Sequence, residues 1–166
     1  TGIGLSDAKS RLNELRDKNF TNRATGITAR LSSTGVRKIL SNAATAKTVA
    51  NGFTAKQHNE IAANIDRLFE DAILAEDRPD RDGDPNVKSI KRFVAPMGIG
   101  DTSAAVIITV KESSEHGNRI CTVEGIKATA LSPSLKGVLE NRPSADSAGI
   151  TEGVKPNATE NIIPQL

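Results

Sequence analysis

Two side chains of this sequence could take part in chemistry, one as an acid–base group and the other as a charged group. They are predicted on different elements. His58 lies in the first turn of a predicted helix, near the middle of its apolar stripe. Lys111 follows Ile107 and Thr109 at alternate positions of a predicted strand, so these three residues share one face. A neutral imidazole at the edge of an apolar face can act as a base towards a bound hydroxyl. We therefore expect a functional site if the histidine and the lysine meet.

The position of His58 predicts an imidazole that is mostly neutral near pH 7. Desolvation on the inner face of the helix lowers its pKa, and the positive end of the helix dipole lowers that pKa further. Two roles remain open for such a ring. At the edge of the apolar face it is a catalytic base, whereas a fully buried ring bonds a backbone carbonyl and is structural.

Three helices are predicted in the first half of the chain, where apolar residues recur at three-and-four spacing. They cover residues 6–18, 35–50 and 54–72. The third has the clearest beginning, because Thr54 and Gln57 match a capping box in which each side chain bonds a backbone amide of the other residue. These helices must position His58.

Strands are predicted mainly in the second half, and they must position Lys111. A short strand covers residues 27–31, and longer ones cover residues 89–96, 104–113 and 118–127. The charged segment between the third helix and the long strands is interpreted as an exposed turn. The predicted fold class is α+β, with N-terminal helices packed on a small antiparallel β-sheet. Residues 1–128 are expected to form one domain, and residues 129–166 an extended or partly disordered tail.

The composition limits the classes of function. The 166 residues include 22 basic and 20 acidic ones, and a net charge of +2 is too small for a protein that covers a nucleic acid duplex. One cysteine excludes an internal disulfide and a cysteine-based zinc site. The absence of Trp and Tyr leaves no aromatic platform for stacking bases. Any nucleic acid contact is therefore expected to be local.

Common cofactor and catalytic motifs are absent from the sequence. It contains no Walker loop, no G-x-S-x-G, no H-E-x-x-H and no GxGxxG, so neither a cofactor nor a metal is predicted. No apolar run is long enough for a membrane span, and no signal segment is present. The chain begins without an initiator methionine, which favours a domain taken from a larger protein.

Several segments, taken in order, resemble a known group of domains. They are ARLSSTGVRKILS, NGFTAKQHNEIAANIDRLFEDA, IKRFVAPM, AVIITVKES and GNRICTVEGI, and together they span about residues 25–126. The pattern is similar to that of the nuclease-type domains at the C-termini of phage-encoded polyvalent and MuF-type proteins. That group is placed with the barnase/EndoU/colicin/RelE-like fold, and the resemblance therefore implies helices packed on an antiparallel sheet.

The resemblance implies a metal-independent endoribonuclease that acts as a toxin. A ribose 2′-hydroxyl would attack the adjacent phosphate to give a 2′,3′-cyclic phosphate and a free 5′-hydroxyl, which requires a base, an acid and cations. By position in the pattern, His58 is the base or acid, and Lys111 and Arg92 hold the phosphate. Thr109, which shares a face with Lys111, would donate to a phosphate oxygen, and the resemblance implies further substrate contacts by Lys38 and Ser41.

One position departs from the pattern of the resembling domains. Where Cys121 stands, an aromatic residue, typically tyrosine, is expected. Either the site lacks a ring that positions substrate, or the substitution weakens a harmful activity. A Cys121→Tyr variant that is no more active would contradict the second explanation.

Two other classes of function compete with the ribonuclease. One is a non-catalytic structural or interaction module of a phage polyvalent protein, in which His58 is a core residue and Lys111 is solvated. A transferase acting on NAD has less support, because the sequence has no recognisable cofactor motif. For the ribonuclease, the expected partners are RNA and an immunity protein that is acidic where it covers Lys111 and Arg92. The expected place of action is the bacterial cytoplasm, after delivery with a phage particle or by secretion.

Overall fold

The predicted α+β class is confirmed in the computed structural model, which describes residues 2–79, 83, 85–115 and 117–140. The helices are α1 (Leu5–Leu15), α2 (Ser33–Ile39), α3 (Asn42–Ala50), α4 (Ala55–Ala63), α5 (Ile65–Asp71) and α6 (Pro133–Glu140). The strands are β1 (Asn19–Thr21), β2 (Thr28–Arg30), β3 (Ile73–Arg78), β4 (Val87–Ile99), β5 (Thr102–Glu115) and β6 (Asn118–Ala130).

The strands form a six-stranded sheet with the order β1-β2-β6-β5-β4-β3. Its centre is the antiparallel meander β4–β5–β6, and β3 adds to one side of it, also antiparallel. On the other side β2 runs parallel to β6 and pairs with it at Arg30 and Thr122, while β1 pairs antiparallel with β2. The sheet is therefore antiparallel except at this one junction.

Two of the predicted helices are each divided into two shorter ones. The predicted helix over residues 35–50 breaks at Ser41, whose hydroxyl accepts the Ala44 N–H at 3.1 Å and so begins α3. The predicted helix over residues 54–72 breaks at Asn64, although its beginning is the predicted capping box. The apolar spacing continues across both breaks, and it therefore does not indicate the change of direction.

Strand β3 begins directly after the predicted third helix and extends into the segment that the sequence predicts to be an exposed turn. Its acidic residues form cross-strand ion pairs with β4: Glu76 contacts Arg92 at 2.8 Å, and Asp77 contacts Lys91 at 2.8 Å. A run of charges that is typical of a loop is here paired within the sheet. Residues 80–82 and 84 of the predicted turn lie outside the described residues.

The main core lies between α1–α5 and one face of the sheet. Three phenylalanines stack edge to face through it, with ring centroids 6.0 Å apart for Phe20 and Phe69 and 4.8 Å apart for Phe69 and Phe93. Phe69 and Phe93 are fully buried, and burying one such side chain contributes about 1.5–3 kcal/mol. This packing fixes the helical layer against the sheet.

The opposite face of the sheet is partly covered by α6, which lies in the segment predicted to be a tail. Leu135 and Leu139 of α6 pack against Ala75, Val94 and Ala105 of the sheet. The Ser132 hydroxyl accepts the Leu135 N–H at 3.2 Å and so supports the first turn of α6. Residues 141–166 of the predicted tail lie outside the described residues.

Candidate functional site

The outer edge of β6 is covered by the corner between α2 and α3. Gly35 allows this close approach, because a Cβ atom at that position would lie 2.6 Å from the Val123 carbonyl oxygen. The Asn51 amide donates to the Ala128 carbonyl at 2.9 Å, which satisfies an edge acceptor that no strand reaches. The corner therefore extends past the edge of the sheet towards the face that carries α6.

A cleft of about 270 Å³ lies where this corner meets that face. The α2–α3 corner provides Lys38, Ser41, Ala43, Ala44 and Lys47. The sheet provides Arg92, Ile107, Thr109 and residues 124–127 of β6. Four of the predicted site residues, Lys38, Ser41, Arg92 and Thr109, are thus brought into one cleft.

Among the residues that the structure describes, Glu124 is the one carboxylate that lines the cleft, and two cations approach it. The Lys38 Nζ lies 2.5 Å and the Lys111 Nζ 3.9 Å from Glu124 Oε1, while the Thr122 hydroxyl donates to Glu124 Oε2 at 2.9 Å. The register explains this position, because Thr109 pairs with Gly125 and Val110 with Val123, which leaves Glu124 as the extra residue of a β-bulge. Lys111 thus adjoins the cleft through Glu124.

The cations of the cleft differ in how they are paired. Arg92 bonds Glu76 at 2.8 Å, and Lys38 bonds Glu124. Lys47 and Lys127 form no ion pair with any residue that the structure describes. The cleft therefore keeps an excess of positive charge after its internal pairs are formed.

Two hydroxyl groups of the described residues line the cleft, and only that of Ser41 is engaged in other hydrogen bonds. The Ser41 hydroxyl accepts the Ala44 N–H and donates to the Lys38 carbonyl at 2.9 Å, so it holds the turn between α2 and α3. The Thr109 side chain is half-buried beside Arg92, its partner on β4, and forms no hydrogen bond with another described residue. Thr109 is thus the hydroxyl that remains open to a ligand.

His58 does not line the cleft, and its ring lies fully buried within the layer of helices. Its Nε2 lies 2.8 Å from the Ile39 carbonyl and its Nδ1 lies 2.8 Å from the Thr48 hydroxyl. Because a carbonyl only accepts, Nε2 carries the proton and Nδ1 accepts from Thr48. Both ring nitrogens are therefore engaged inside the protein, which is the structural role described above as the alternative.

Burial lowers the pKa of His58, and the bond to the Ile39 carbonyl raises it by less, so the net change is downward from 6.5. The ring is therefore neutral near pH 7. In this state the Thr48 hydroxyl donates to Nδ1 and accepts the Ala128 N–H at 3.2 Å, so every polar group of the network has a partner.

A second group of charges lies across β3, β4, β5 and β6 on the face of the sheet that carries the main core. The buried Lys91 ammonium contacts Asp77 at 2.8 Å and Glu112 at 3.1 Å, and Arg119 contacts Glu112 at 3.0 Å. Burial lowers the pKa of Lys91, but its two carboxylate partners outweigh that effect and the net pKa is raised. The alternation of charges across four strands is typical of a structural ion-pair network.

Cys121 belongs to this second group and not to the cleft. Its thiol is buried and free, and it lies opposite Glu112 in the strand pairing. Burial raises the pKa of the thiol, and the Glu112 carboxylate raises it further. The protonated form is thus favoured, which is typical of a packing residue and not of a nucleophile.

Three cleft residues were missed by the sequence-based prediction: Lys47, Glu124 and Lys127. Lys47 is nine residues, or two and a half turns, from Lys38, so one continuous helix would place the two on opposite sides, and the break at Ser41 is what brings both to the cleft. Glu124 reaches the cleft through a bulge, and the signal for that bulge is Gly125, an isolated glycine within the predicted strand. Lys127 lies opposite Ile107 in the register, and this pairing follows from antiparallel pairing of the predicted strands over residues 104–113 and 118–127 once the bulge is known.

These features define an α+β domain with an electropositive cleft at one edge of its sheet. Residues 6–121 match the family described as Large polyvalent protein-associated domain 3, and the chain belongs to this family. No curated protein and no solved structure matches the chain. The described residues contain no group of three or more His, Cys, Asp or Glu residues arranged to hold a metal ion. Within the same residues, no helix has the length and apolar character needed to span a membrane.

Proposed function

We propose that this domain is a non-catalytic interaction module of a phage polyvalent protein. The observation that carries the proposal is the hydrogen bonding of His58, because a fully buried ring with both nitrogens engaged cannot exchange a proton with a bound substrate. Membership in a family of polyvalent protein-associated domains supports the same conclusion. The cleft is then the surface through which the module contacts its partner.

The test is incubation of the 166-residue chain with RNA in EDTA, together with a His58→Ala variant. We expect no cleavage by either protein, a lower melting temperature for the variant, and no slowing of bacterial growth when the domain is expressed. Cleavage of RNA that is lost on substitution of a cleft residue would contradict the proposal.

A metal-independent ribonuclease of barnase/EndoU-like fold is the second candidate, and the composition of the cleft favours it. Arg92 and Lys38 line the cleft and supply the cations that stabilise a pentacoordinate phosphorane, and the Thr109 hydroxyl is a free donor. In this arrangement Glu124 replaces His58 as the base towards the 2′-hydroxyl, since within the described part of the chain its carboxylate is the one that lines the cleft. An immunity protein would then cover Arg92 and Lys111 with acidic residues.

The ribonuclease is tested by the products and by one substitution. We expect RNA fragments that end in 2′,3′-cyclic phosphate if it is correct, and a loss of cleavage of about 100-fold or more in Glu124→Gln, in line with the usual contribution of a general base. Glu115→Gln is the matched control, because Glu115 is exposed at the far end of β5. Under either function we propose action in the bacterial cytoplasm after delivery by a phage, for which the family membership is the support.

A further inference from the structure

The cleft has two ammonium groups left over after its internal ion pairs are counted. Lys38 and Lys111 approach the Glu124 carboxylate, and Arg92 approaches Glu76. Lys47 on α3 and Lys127 on β6 line the cleft from its two sides without an ion-pair partner among the described residues. A ligand with two negative charges on one small group would neutralise both.

We propose that the cleft binds a phosphate monoester dianion, as carried by the terminal phosphate of a nucleotide or of a single-stranded oligonucleotide. The inference rests on the proposed function, because it assigns the ligand of the surface through which the module acts. Lys47 and Lys127 contact the phosphate oxygens from opposite sides, and the Thr109 hydroxyl donates to a third oxygen. A carboxylate, with one charge, would leave one of the two ammonium groups without a partner.

The size of the cleft and its lining residues limit the rest of the ligand. A volume of about 270 Å³ lies just below the usual range for ligand sites, so the cleft holds a phosphate with little more than its adjoining sugar. No aromatic residue lines it, and Phe20, Phe69 and Phe93 are buried in the core. Recognition therefore stops at the phosphate, because the cleft offers no ring on which a base could stack.

Binding of a phosphate monoester should depend on pH, because the charge of this ligand changes near neutrality. A phosphate monoester loses its second proton with a pKa of about 6, whereas a phosphodiester keeps one charge at any pH near neutrality. Binding of a monoester should therefore weaken as the pH falls from 7.5 to 5. Binding of a phosphodiester backbone should stay constant over the same range.

The experiment measures fluorescence anisotropy of a labelled RNA hexanucleotide with and without a 5′-phosphate, using the full 166-residue chain. We expect the phosphorylated strand to bind about tenfold tighter or more, since one charged hydrogen bond accounts for a factor of that order. Inorganic phosphate should compete with it, and a Glu-rich peptide should not. The preference should fall at pH 5.

The variants separate the cleft from general charge. Lys47→Gln/Lys127→Gln removes the two unpaired ammonium groups and should abolish the preference for the 5′-phosphate. Lys9→Gln/Lys18→Gln makes the same change of charge at exposed positions outside the cleft and should keep that preference. Thermal melting checks that each variant is folded, and Lys47→Gln alone, at an exposed position, provides a second variant with a smaller expected loss.

Three results would overturn the inference: equal binding of the two strands, an unchanged preference in the Lys47→Gln/Lys127→Gln variant, or equal competition by the Glu-rich peptide. None of these three results would contradict the proposed interaction function, because the module could still bind a partner of another chemical class. Cleavage of the RNA during the titration would instead contradict the interaction function, whatever the affinities.

Discussion

The Nδ1 atom of His58 lies 2.8 Å from the Thr48 hydroxyl, and the same hydroxyl accepts the backbone N–H of Ala128. This contact joins α4, α3 and β6 through one buried polar group. The Nε2 bond to the Ile39 carbonyl adds the end of α2. His58 therefore fixes the α2–α3 corner that forms one wall of the cleft, and it does so without contacting the cleft.

Replacing Thr48 with valine should destabilise the protein without a large change of volume. The substitution leaves two buried polar groups, His58 Nδ1 and the Ala128 N–H, without their partner. A buried group that loses its hydrogen bond costs about 1–3 kcal/mol. Urea unfolding measures the difference. Thr34→Val, at an exposed position of α2, is the control and should change the free energy of unfolding by about 0.5 kcal/mol or less.

Stability should depend on pH through His58, because its pKa is lowered in the folded protein. Between the folded-state pKa and the ordinary value of 6.5, the unfolded chain binds more protons than the folded chain. The free energy of unfolding therefore rises with pH across this window. The stability that the neutral His58 ring contributes is fully present above pH 6.5, and it is lost as the pH falls from there through the folded-state pKa. Urea unfolding between pH 7.5 and 5 measures it.

His58→Gln is the matched variant for this pH dependence. A glutamine amide can donate to the Ile39 carbonyl and accept from Thr48, and it does not titrate. We expect the variant to be less stable at pH 7.5 but to lose less stability than the wild-type protein between pH 7 and 5. The same loss in both proteins would show that another group is responsible.

The fold class and the three long strands follow from the sequence because their signals are local. Alternation along β5 and the capping box at Thr54 each depend on residues within a few positions of each other. Strand β3 depends on distant partners, since Glu76 and Asp77 are paired only when β4 lies beside them. A charged segment has no local feature that separates a paired strand from a loop.

The predicted site is divided by the structure for a similar reason. Periodicity places Thr109 and Lys111 on one face, and Arg92, which the resemblance adds to the site, is the cross-strand partner of Thr109. The inward position of His58 is also predicted correctly, but the depth of its burial is not, because that depth depends on the α2–α3 corner closing over the ring. Periodicity indicates the direction of a side chain and not the layer that it enters.

Lys91 should contribute more to stability than any exposed lysine of the sheet. Its ammonium is buried and contacts two carboxylates, so Lys91→Ala leaves Glu112 buried with Arg119 as its remaining ion-pair partner. We expect the free energy of unfolding, measured with urea, to fall by about 3 kcal/mol. This value is the low end for a broken buried ion pair, because Asp77 is partly exposed. Lys88→Ala, at an exposed position of the same strand, should have almost no effect. Equal effects would contradict a structural role for the network.

Gly35→Ala should destabilise the protein, although alanine is the better helix former by about 1 kcal/mol. The added Cβ would lie 2.6 Å from the Val123 carbonyl oxygen and 3.3 Å from the Leu31 side chain, and the backbone oxygen cannot move without breaking the contact of α2 with β6. Such overpacking costs about 1–3 kcal/mol, which outweighs the helix propensity. Gly137→Ala in α6 has open space around its Cβ and should be stabilising. Thermal melting should therefore shift in opposite directions for the two variants, and a rise in both would show that α2 does not depend on close contact with the edge of β6.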